Sequence, residues 1–199
     1  MSVLEQVLVV NRAFVESSDG KNDPGRFVNV SKLPRKRLAI FTCMDTRLVD
    51  FLEPAMGIRR EDAVVIKNAG NSVTGSFEAT IRSLIVAIFE LDVTEIMVIG
   101  HEDCGVAHSS AKTLIEEMLK RGISPDAIKM VKSELEVWLD NFRCPHDNVR
   151  EVVGKIRNNP LIPADVPVHG LIFEPFSGEI SLVVNGYDGV AMQSDERAG

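Results

Sequence analysis

Arg37-Leu38-Ala39-Ile40-Phe41-Thr42-Cys43 is a short apolar run in which polar and apolar residues do not alternate. That pattern belongs to a strand covered on both faces, as in the parallel sheet of an α/β protein. Two more runs of the same kind follow: Asp62-Ala63-Val64-Val65-Ile66-Lys67 and Glu95-Ile96-Met97-Val98-Ile99-Gly100. Between them, residues 76–91 repeat apolar side chains at 77, 81, 84, 85, 88, 89 and 91, the spacing of a helix laid over a sheet. Val168 to Phe173 reads as a fourth strand. After a turn over Pro175 to Glu179, Ile180 to Val184 reads as a last, antiparallel one. The expectation is therefore an α/β fold, with a mostly parallel central sheet of about four strands plus an antiparallel edge strand, flanked by helices.

Working outward, further helices are expected over residues 47–56, 107–120, 125–141 and 147–158, with Trp138 in the core. Residues 2–18 place Val3, Leu4, Val7, Leu8, Val10, Phe14 and Val15 at helical spacing without an obvious local core. Such a helix is expected to pack on the body or on a second subunit. The organisation expected is an N-terminal helix and irregular arm over 1–35, a catalytic α/β domain over 36–184, and a polar tail over 185–199, frayed from Asn185 onward.

Composition removes several classes of function. A net charge of −7 disfavours a nucleic-acid or anionic-membrane surface. The longest apolar run, Leu84 to Phe89, falls far short of the ~20 residues of a membrane span. Glu5, Gln6 and Asn11 interrupt any signal-peptide core, so the default address is cytoplasmic. Three cysteines make no disulfide framework, and in a reducing compartment spaced Cys and His point to metal or catalysis.

Ligands of α/β sheets bind outside the carboxyl ends of the strands. Cys43 ends the first strand, Gly70-Asn71 follows the second and His101 follows the third, so three loops converge on one edge. The loop residues carry chemistry. Cys43-Met44-Asp45-Thr46-Arg47 sets a thiol beside a carboxylate and a guanidinium, and Gly100-His101-Glu102-Asp103-Cys104-Gly105 sets an imidazole three residues from a second thiol. Two Cys and one His form the ligand set of a catalytic zinc site with one open position. Cys43, His101 and Cys104 are the expected ligands. Taken alone, Cys43 reads as a small buried hydrophobe; its placement with the other two at strand ends favours metal.

Asp45 and Arg47 can form a bidentate charge-assisted pair. Beside a dication, Asp45 has two states open to it: holding Arg47 while accepting a hydrogen bond from metal-bound water, or becoming a fourth ligand that shuts the site. Two thiolates neutralise zinc, so its water is expected to be less acidic than the ~7 of His-only sites, and activity should rise on the alkaline side. Gly70, Asn71 and Gly105 are candidates to present backbone N–H groups to an anionic product. For Gly70 and Asn71, plain turn geometry is an equal account. His108 is a candidate proton shuttle, His146 and His169 are expected in surface, core or turn positions, and Cys144 as a free structural thiol.

Cys43-Met44-Asp45-Thr46-Arg47, Lys67-Asn68-Ala69-Gly70-Asn71 and Gly100-His101-Glu102-Asp103-Cys104-Gly105, in that order, resemble the β-class carbonic anhydrases. Asn159-Pro160-Leu161-Ile162-Pro163 and Pro167-Val168-His169-Gly170-Leu171 resemble that family's closing strand, so the likeness spans residues 36–184. The pattern is nearest the short archaeal or bacterial members, with Thr46 where Ser is commoner, Phe77-Glu78 for Leu-Glu, and no Gln ahead of Cys43 in the substrate-orienting place.

The resemblance implies one Zn2+ per subunit on Cys43, His101 and Cys104. It implies an Asp45–Arg47 dyad controlling the fourth position, with Asp45 a fourth ligand in a closed state, and a Gly105 amide touching substrate. It implies reversible hydration of CO2 to bicarbonate and a proton. It also implies a homodimer or higher homo-oligomer, with the N-terminal helix packed across onto a partner. Two other functions stand beside this one. The same site could hydrolyse carbon disulfide or carbonyl sulfide. A non-catalytic zinc protein keeping the fold is the other, and it predicts loss of Asp45 or Arg47, both of which are present. Cys-dependent phosphatase chemistry fits poorly, because Arg47 is too near Cys43 for a phosphate loop.

Overall fold

The structure is a computed structural model that describes residues 2–16, 31–140, 142 and 144–188. It comprises two compact units, Met1–Lys32 and Leu33–Gly199. In the first, helix α1 (Val3–Glu16) buries none of its residues. Its start is a reciprocal cap: the Glu5 carboxylate accepts from Ser2 N–H at 2.7 Å and the Ser2 hydroxyl accepts from Glu5 N–H at 3.3 Å. The expected arm over 17–30 and the tail over 189–199 lie outside the described residues.

The second unit carries strands β1 (Leu38–Cys43), β2 (Ala63–Asn68), β3 (Glu95–His101), β4 (Val168–Phe173) and β5 (Ile180–Val184) in the order β2-β1-β3-β4-β5. β1 runs parallel to β2 and β3, β3 parallel to β4, and β5 antiparallel to β4. The sheet is thus the expected four parallel strands with one antiparallel edge. Helices α2 (Leu52–Ala55), α3 (Ala79–Phe89), α4 (Ala111–Lys120), α5 (Pro125–Leu139) and α6 (Pro145–Arg157) complete it.

β1 lacks alternation because both of its faces are covered. Ala39 and Phe41 join Ile96, Val98, Val168 and Ile172 in a core closed by Ile81, Leu84 and Ala87 of α3 and by Val149, Val152, Val153 and Ile156 of α6. Leu38 and Ile40 join Ile99 and Phe173 in a second core with Leu48, Leu52 and Ile58. Each fully buried large side chain contributes about 1.5–3 kcal/mol. The second core reaches Cys43 and Cys104, so the strand ends that carry chemistry are rooted in packed apolar contacts.

α6 lies close on the sheet because two strand positions have no side chain. A Cβ on Gly100 would fall 2.7 Å from Val149 Cγ2, and one on Gly170 2.7 Å from Val149 Cγ1. Gly100→Ala must push α6 outward or force Val149 off its rotamer. It is expected to lower unfolding free energy by about 1–3 kcal/mol. A fall in the urea midpoint would register this; an unchanged midpoint would mean that α6 is free to shift.

Several local expectations are corrected. β2, read as a strand buried on both faces, is an edge strand with alternating partial exposure. The helix expected over 47–56 is instead a 3-10 turn, Thr46–Leu48, and then the single-turn α2. Asp50 at φ +54° breaks the run between them. α4 starts only at Ala111, capped by Ser110 accepting from Thr113 N–H. Trp138 is half-buried, and its indole N–H donates to Ser72 Oγ at 2.9 Å. The chain does not fray at Asn185: Gly186–Asp188 form a turn held against β4, with Gly186 N–H donating to His169 Nδ1 at 2.9 Å.

Candidate metal centre

β1 and β3 pair in parallel with Thr42 opposite Ile99, and buried Thr42 Oγ1 donates to Ile99 O at 2.8 Å. This register brings Cys43, the last residue of β1, beside His101, the last residue of β3. The chain then turns through Asp103, at φ +52°, and returns Cys104 to the same spot. Cys43, His101 and Cys104 are 4%, 1% and 2% exposed. Their donor atoms all lie within 4.8 Å of one another.

The donor set fits a metal on three grounds. First, the two sulfurs are 4.0 Å apart, far beyond a disulfide. Two sulfurs on one tetrahedral zinc, at bonds of about 2.3 Å, sit roughly 3.8 Å apart. Second, His101 Nδ1 faces the Glu102 carbonyl at 2.8 Å. A carbonyl only accepts, so Nδ1 carries the proton and Nε2 presents its lone pair. Third, that Nε2 is buried and lacks a hydrogen-bond partner, a costly state for a polar atom unless something else satisfies it.

The electrostatics agree. The Cys104 thiol, donating to Cys43, holds Cys43 far below the ordinary thiol range, against the opposing pull of burial; His101 and the backbone N–H groups of Asp45 and Gly70 help. Cys104 is pushed up by the same neighbour and by burial. The pair is therefore a thiolate and a thiol sharing one proton, which a dication would displace. Burial opposes charging His101, but the Cys43 thiolate, the Glu102 carbonyl and Asp45 together outweigh it and raise His101, so a proton competes at Nε2 for the lone pair that a metal would take.

Asp45 caps the Thr46–Leu48 turn, and Arg47 grips its carboxylate with three donors: the backbone N–H and Nε on Oδ1 at 2.9 and 3.1 Å, and Nη2 on Oδ2 at 2.9 Å. These hydrogen bonds hold the Asp45 carboxyl down at about 2, so it is ionised throughout the neutral range. Asp45 Oδ2 lies 3.8 Å from His101 Nε2, at the edge of the Cys–His–Cys triangle. The far side of the guanidinium is also taken, Nη1 by Asp103 Oδ2 at 2.8 Å and Nη2 by Asp103 O at 2.7 Å. Arg47 thus ties the loop after β1 to the turn that carries His101 and Cys104.

Gly70 and Asn71 lie in a buried 3-10 turn directly after β2. Gly70, at φ +69°, passes beneath Val106 and Phe142, where a Cβ would meet Val106 Cγ2 at 3.2 Å and Phe142 Cε2 at 3.1 Å. Its N–H points to the Cys43 sulfur, so this turn supports the thiolate. Gly105 opens a 3-10 turn of four residues, too short to carry a helix dipole. His108 is exposed, with Nε2 3.4 Å from Asp103 Oδ1, and His146 Nε2 meets Glu102 Oε1 at 2.9 Å. Cys144 caps α6, its sulfur accepting from Asp147 N–H at 3.4 Å. An open cleft of about 1080 Å3 beside the centre is lined by Asn68, Ala69, Trp138 and Phe142 among others, and by none of the three donors.

Sequence reasoning missed two contributors, the Glu102 carbonyl that sets the His101 tautomer and Asp103 as the second seat of Arg47. Asp103 was visible as one of two carboxylates, with Glu102, between His101 and Cys104. The carbonyl left no trace in side-chain chemistry.

A family model described as carbonic anhydrase matches residues 38–180. A protein of Bacillus subtilis (strain 168), provisionally named a carbonic anhydrase, is 39% identical over 191 residues, covering 94% of this chain and 100% of its own. The crystal structure of β-carbonic anhydrase isoform I from Trichomonas vaginalis superposes with a TM-score of 0.88 at 44% identity, covering 94% of this chain and 100% of that one. A carbon disulfide hydrolase of Acidithiobacillus thiooxidans is 30% identical over 156 residues, 73% of this chain and 76% of its own. With the family match running from β1 through β4 and across both donor-bearing loops, the chain belongs to the carbonic anhydrase family, in its β class.

Proposed function

We propose that the protein catalyses the reversible hydration of carbon dioxide to bicarbonate and a proton, with one Zn2+ per subunit held by Cys43, His101 and Cys104. The observation that carries this reading is the unpartnered, buried Nε2 of His101, facing two sulfurs and flanked by an ionised Asp45. A donor set of two sulfurs and one imidazole suits zinc, and three protein donors leave a coordination position free. Zinc, when bound, supplies a Lewis acid that makes water nucleophilic near neutral pH.

The protein's own residues do the rest. Asp45 can only accept a hydrogen bond at neutral pH, so it orients a donor at the free position and never gives a proton there. Arg47 keeps Asp45 turned toward the guanidinium and out of the coordination sphere. In the closed alternative Asp45 would leave Arg47 and serve as the fourth ligand itself; its Oδ2 lies 3.8 Å from His101 Nε2. Val106, Ala107 and Phe142 pack with the two cysteines and offer an apolar wall suited to an uncharged linear substrate.

Hydrolysis of carbon disulfide or carbonyl sulfide is the second reading, favoured by the similarity to a carbon disulfide hydrolase. The non-catalytic reading is disfavoured by Asp45 and Arg47, which are both present and engaged. We also read the protein as a cytoplasmic homodimer or larger homo-oligomer, with residues 1–35 packing on a partner subunit. Supporting this are the exposed apolar residues of α1 and three free cysteines. Among the described residues, no helix is long and apolar enough to cross a membrane.

Stopped-flow hydration of CO2 on metal-quantified protein, run beside a carbon disulfide assay, separates these readings. Activity that does not scale with zinc content would sink the main one. The rate should climb through the alkaline range and fall off below neutrality. Because Asp45 is already ionised well below pH 6, this limb cannot be its titration. A profile flat down to pH 6 would contradict the mechanism.

A further inference from the structure

His169 is a buried, titratable residue with no part in the metal centre. It lies on β4, 6% exposed, and the segment after β5 folds back onto it. Its Nδ1 accepts from Gly186 N–H at 2.9 Å. Because a backbone N–H can only donate, Nδ1 is unprotonated and the neutral ring carries its proton on Nε2. Nε2 is 3.1 Å from Glu95 Oε1, close but without the alignment of a full hydrogen bond. The Tyr187 ring meets the imidazole edge-on at 4.6 Å, and its hydroxyl donates to Glu95 Oε2 at 3.0 Å. Arg157 Nη2 from α6 donates to the carbonyls of Asn185 and Gly186 at 3.2 and 2.8 Å. The fit is tight: a Cβ on Gly186 would lie 2.9 Å from His169 Cε1 and 2.8 Å from the backbone of Val168.

We propose that His169 is a proton-operated latch: the neutral imidazole docks the segment Asn185–Asp188 onto β3, β4 and α6, and protonation of the ring releases it. The reason is a donor count. An imidazolium carries N–H on both nitrogens, so Nδ1–H would face Gly186 N–H across 2.9 Å with no acceptor between them. Turning the ring over gives no escape, because an imidazolium presents an N–H at the Gly186 side in either orientation, and the ring is closely packed between Val168, Gly186 and Tyr187.

Among the described residues, the charged and titratable groups facing the ring are Glu95 from β3, Arg157 from α6 and Tyr187 from the turn itself. Glu95 favours the imidazolium, while burial and Arg157 oppose it. Burial is the largest influence, and the balance lies below the ordinary 6.5. A histidine depressed in the docked state contributes its stabilisation at pH values above the free value of 6.5. It loses that stabilisation progressively as pH falls below 6.5 toward the docked value. The latch is therefore closed at pH 7.5 and opens on acidification.

The chain contains one tyrosine, so a ring-13C tyrosine label reports on this turn alone. Between pH 7.5 and pH 5 the Tyr187 signal of the full-length protein should move from a shifted, ring-stacked position to that of an unstacked tyrosine. Far-UV circular dichroism should be unchanged over the same range. In Glu95→Gln the acceptor for Tyr187 is kept and the charge beside the ring is lost, so the midpoint should shift to lower pH. His169→Asn keeps an acceptor near the Nδ1 position and cannot titrate, so its Tyr187 signal should not move between pH 7.5 and 5. If that variant is undocked throughout, the ring itself holds the turn, and the Glu95→Gln midpoint then decides the role of the proton. A wild-type signal that does not move, or a midpoint unchanged in Glu95→Gln, overturns the proposal.

Discussion

Cys104→Ser should yield a folded protein that no longer retains zinc through dialysis and hydrates CO2 slower by on the order of a thousandfold or more. Even outer partners of metal ligands cost about 10–100-fold when removed, and Cys104 is itself a donor. The change is nearly isosteric, but it replaces a polarizable thiolate with a hydroxyl that stays protonated and binds zinc weakly. It also takes away the thiol that holds Cys43 in its thiolate form. Burying a hydroxyl at a position 2% exposed costs about 1–3 kcal/mol, so the melting temperature should fall modestly while the circular dichroism is preserved. Zinc content by elemental analysis, read beside the stopped-flow rate, separates loss of metal from loss of fold. Full zinc retention with near-normal rate would remove Cys104 from the ligand set.

Asp45→Asn is expected to behave differently: zinc stays, and kcat falls by about 10²–10⁴-fold, the range for removing a positioned acid–base group. The carboxylate sits outside the three-donor triangle, so the donors themselves are undisturbed. Asparagine offers Arg47 one acceptor oxygen where Asp45 offers two, and it turns an NH2 group toward a guanidinium that only donates. The three-donor grip through the backbone N–H, Nε and Nη2 cannot be rebuilt. Asp103 keeps hold of Nη1 and Nη2, so Arg47 should remain in place and the loss should fall on catalysis. A zinc-loaded Asp45→Asn protein with wild-type kcat would show that the dyad does not act on the reaction.

Much of this was legible because it is written in side-chain types at strand ends. The non-alternating runs announced a sheet covered on both faces, and β1, an interior strand between β2 and β3, is packed into two cores at once. The donors were legible because His101 and Cys104 share one turn and Cys43 ends the neighbouring strand. What stayed hidden is written in the backbone. Asp50 in a left-handed conformation breaks the helix expected over 47–56, and no apolar pattern records a φ angle. β2 looked buried because Val64, Val65 and Ile66 are consecutive and apolar, although only one of its edges is paired among the described strands. The return of residues 185–188 onto His169 could not be read either, since one glycine and two main-chain carbonyls do most of the docking.

The strand order β2-β1-β3-β4-β5 also dictates when the metal centre comes into existence as the chain folds. His101 and Cys104 can approach each other within one local turn. Cys43 joins them only after β1 has found β3, a contact that closes the whole crossover through β2 and α3 and is slow to form for that reason. A chain emerging from a ribosome therefore holds two donors as a loose half-site before it holds three in a rigid one. The ligand synthesised first is the last to be delivered, and a tight grip on metal is itself the signal that the middle of the sheet has assembled.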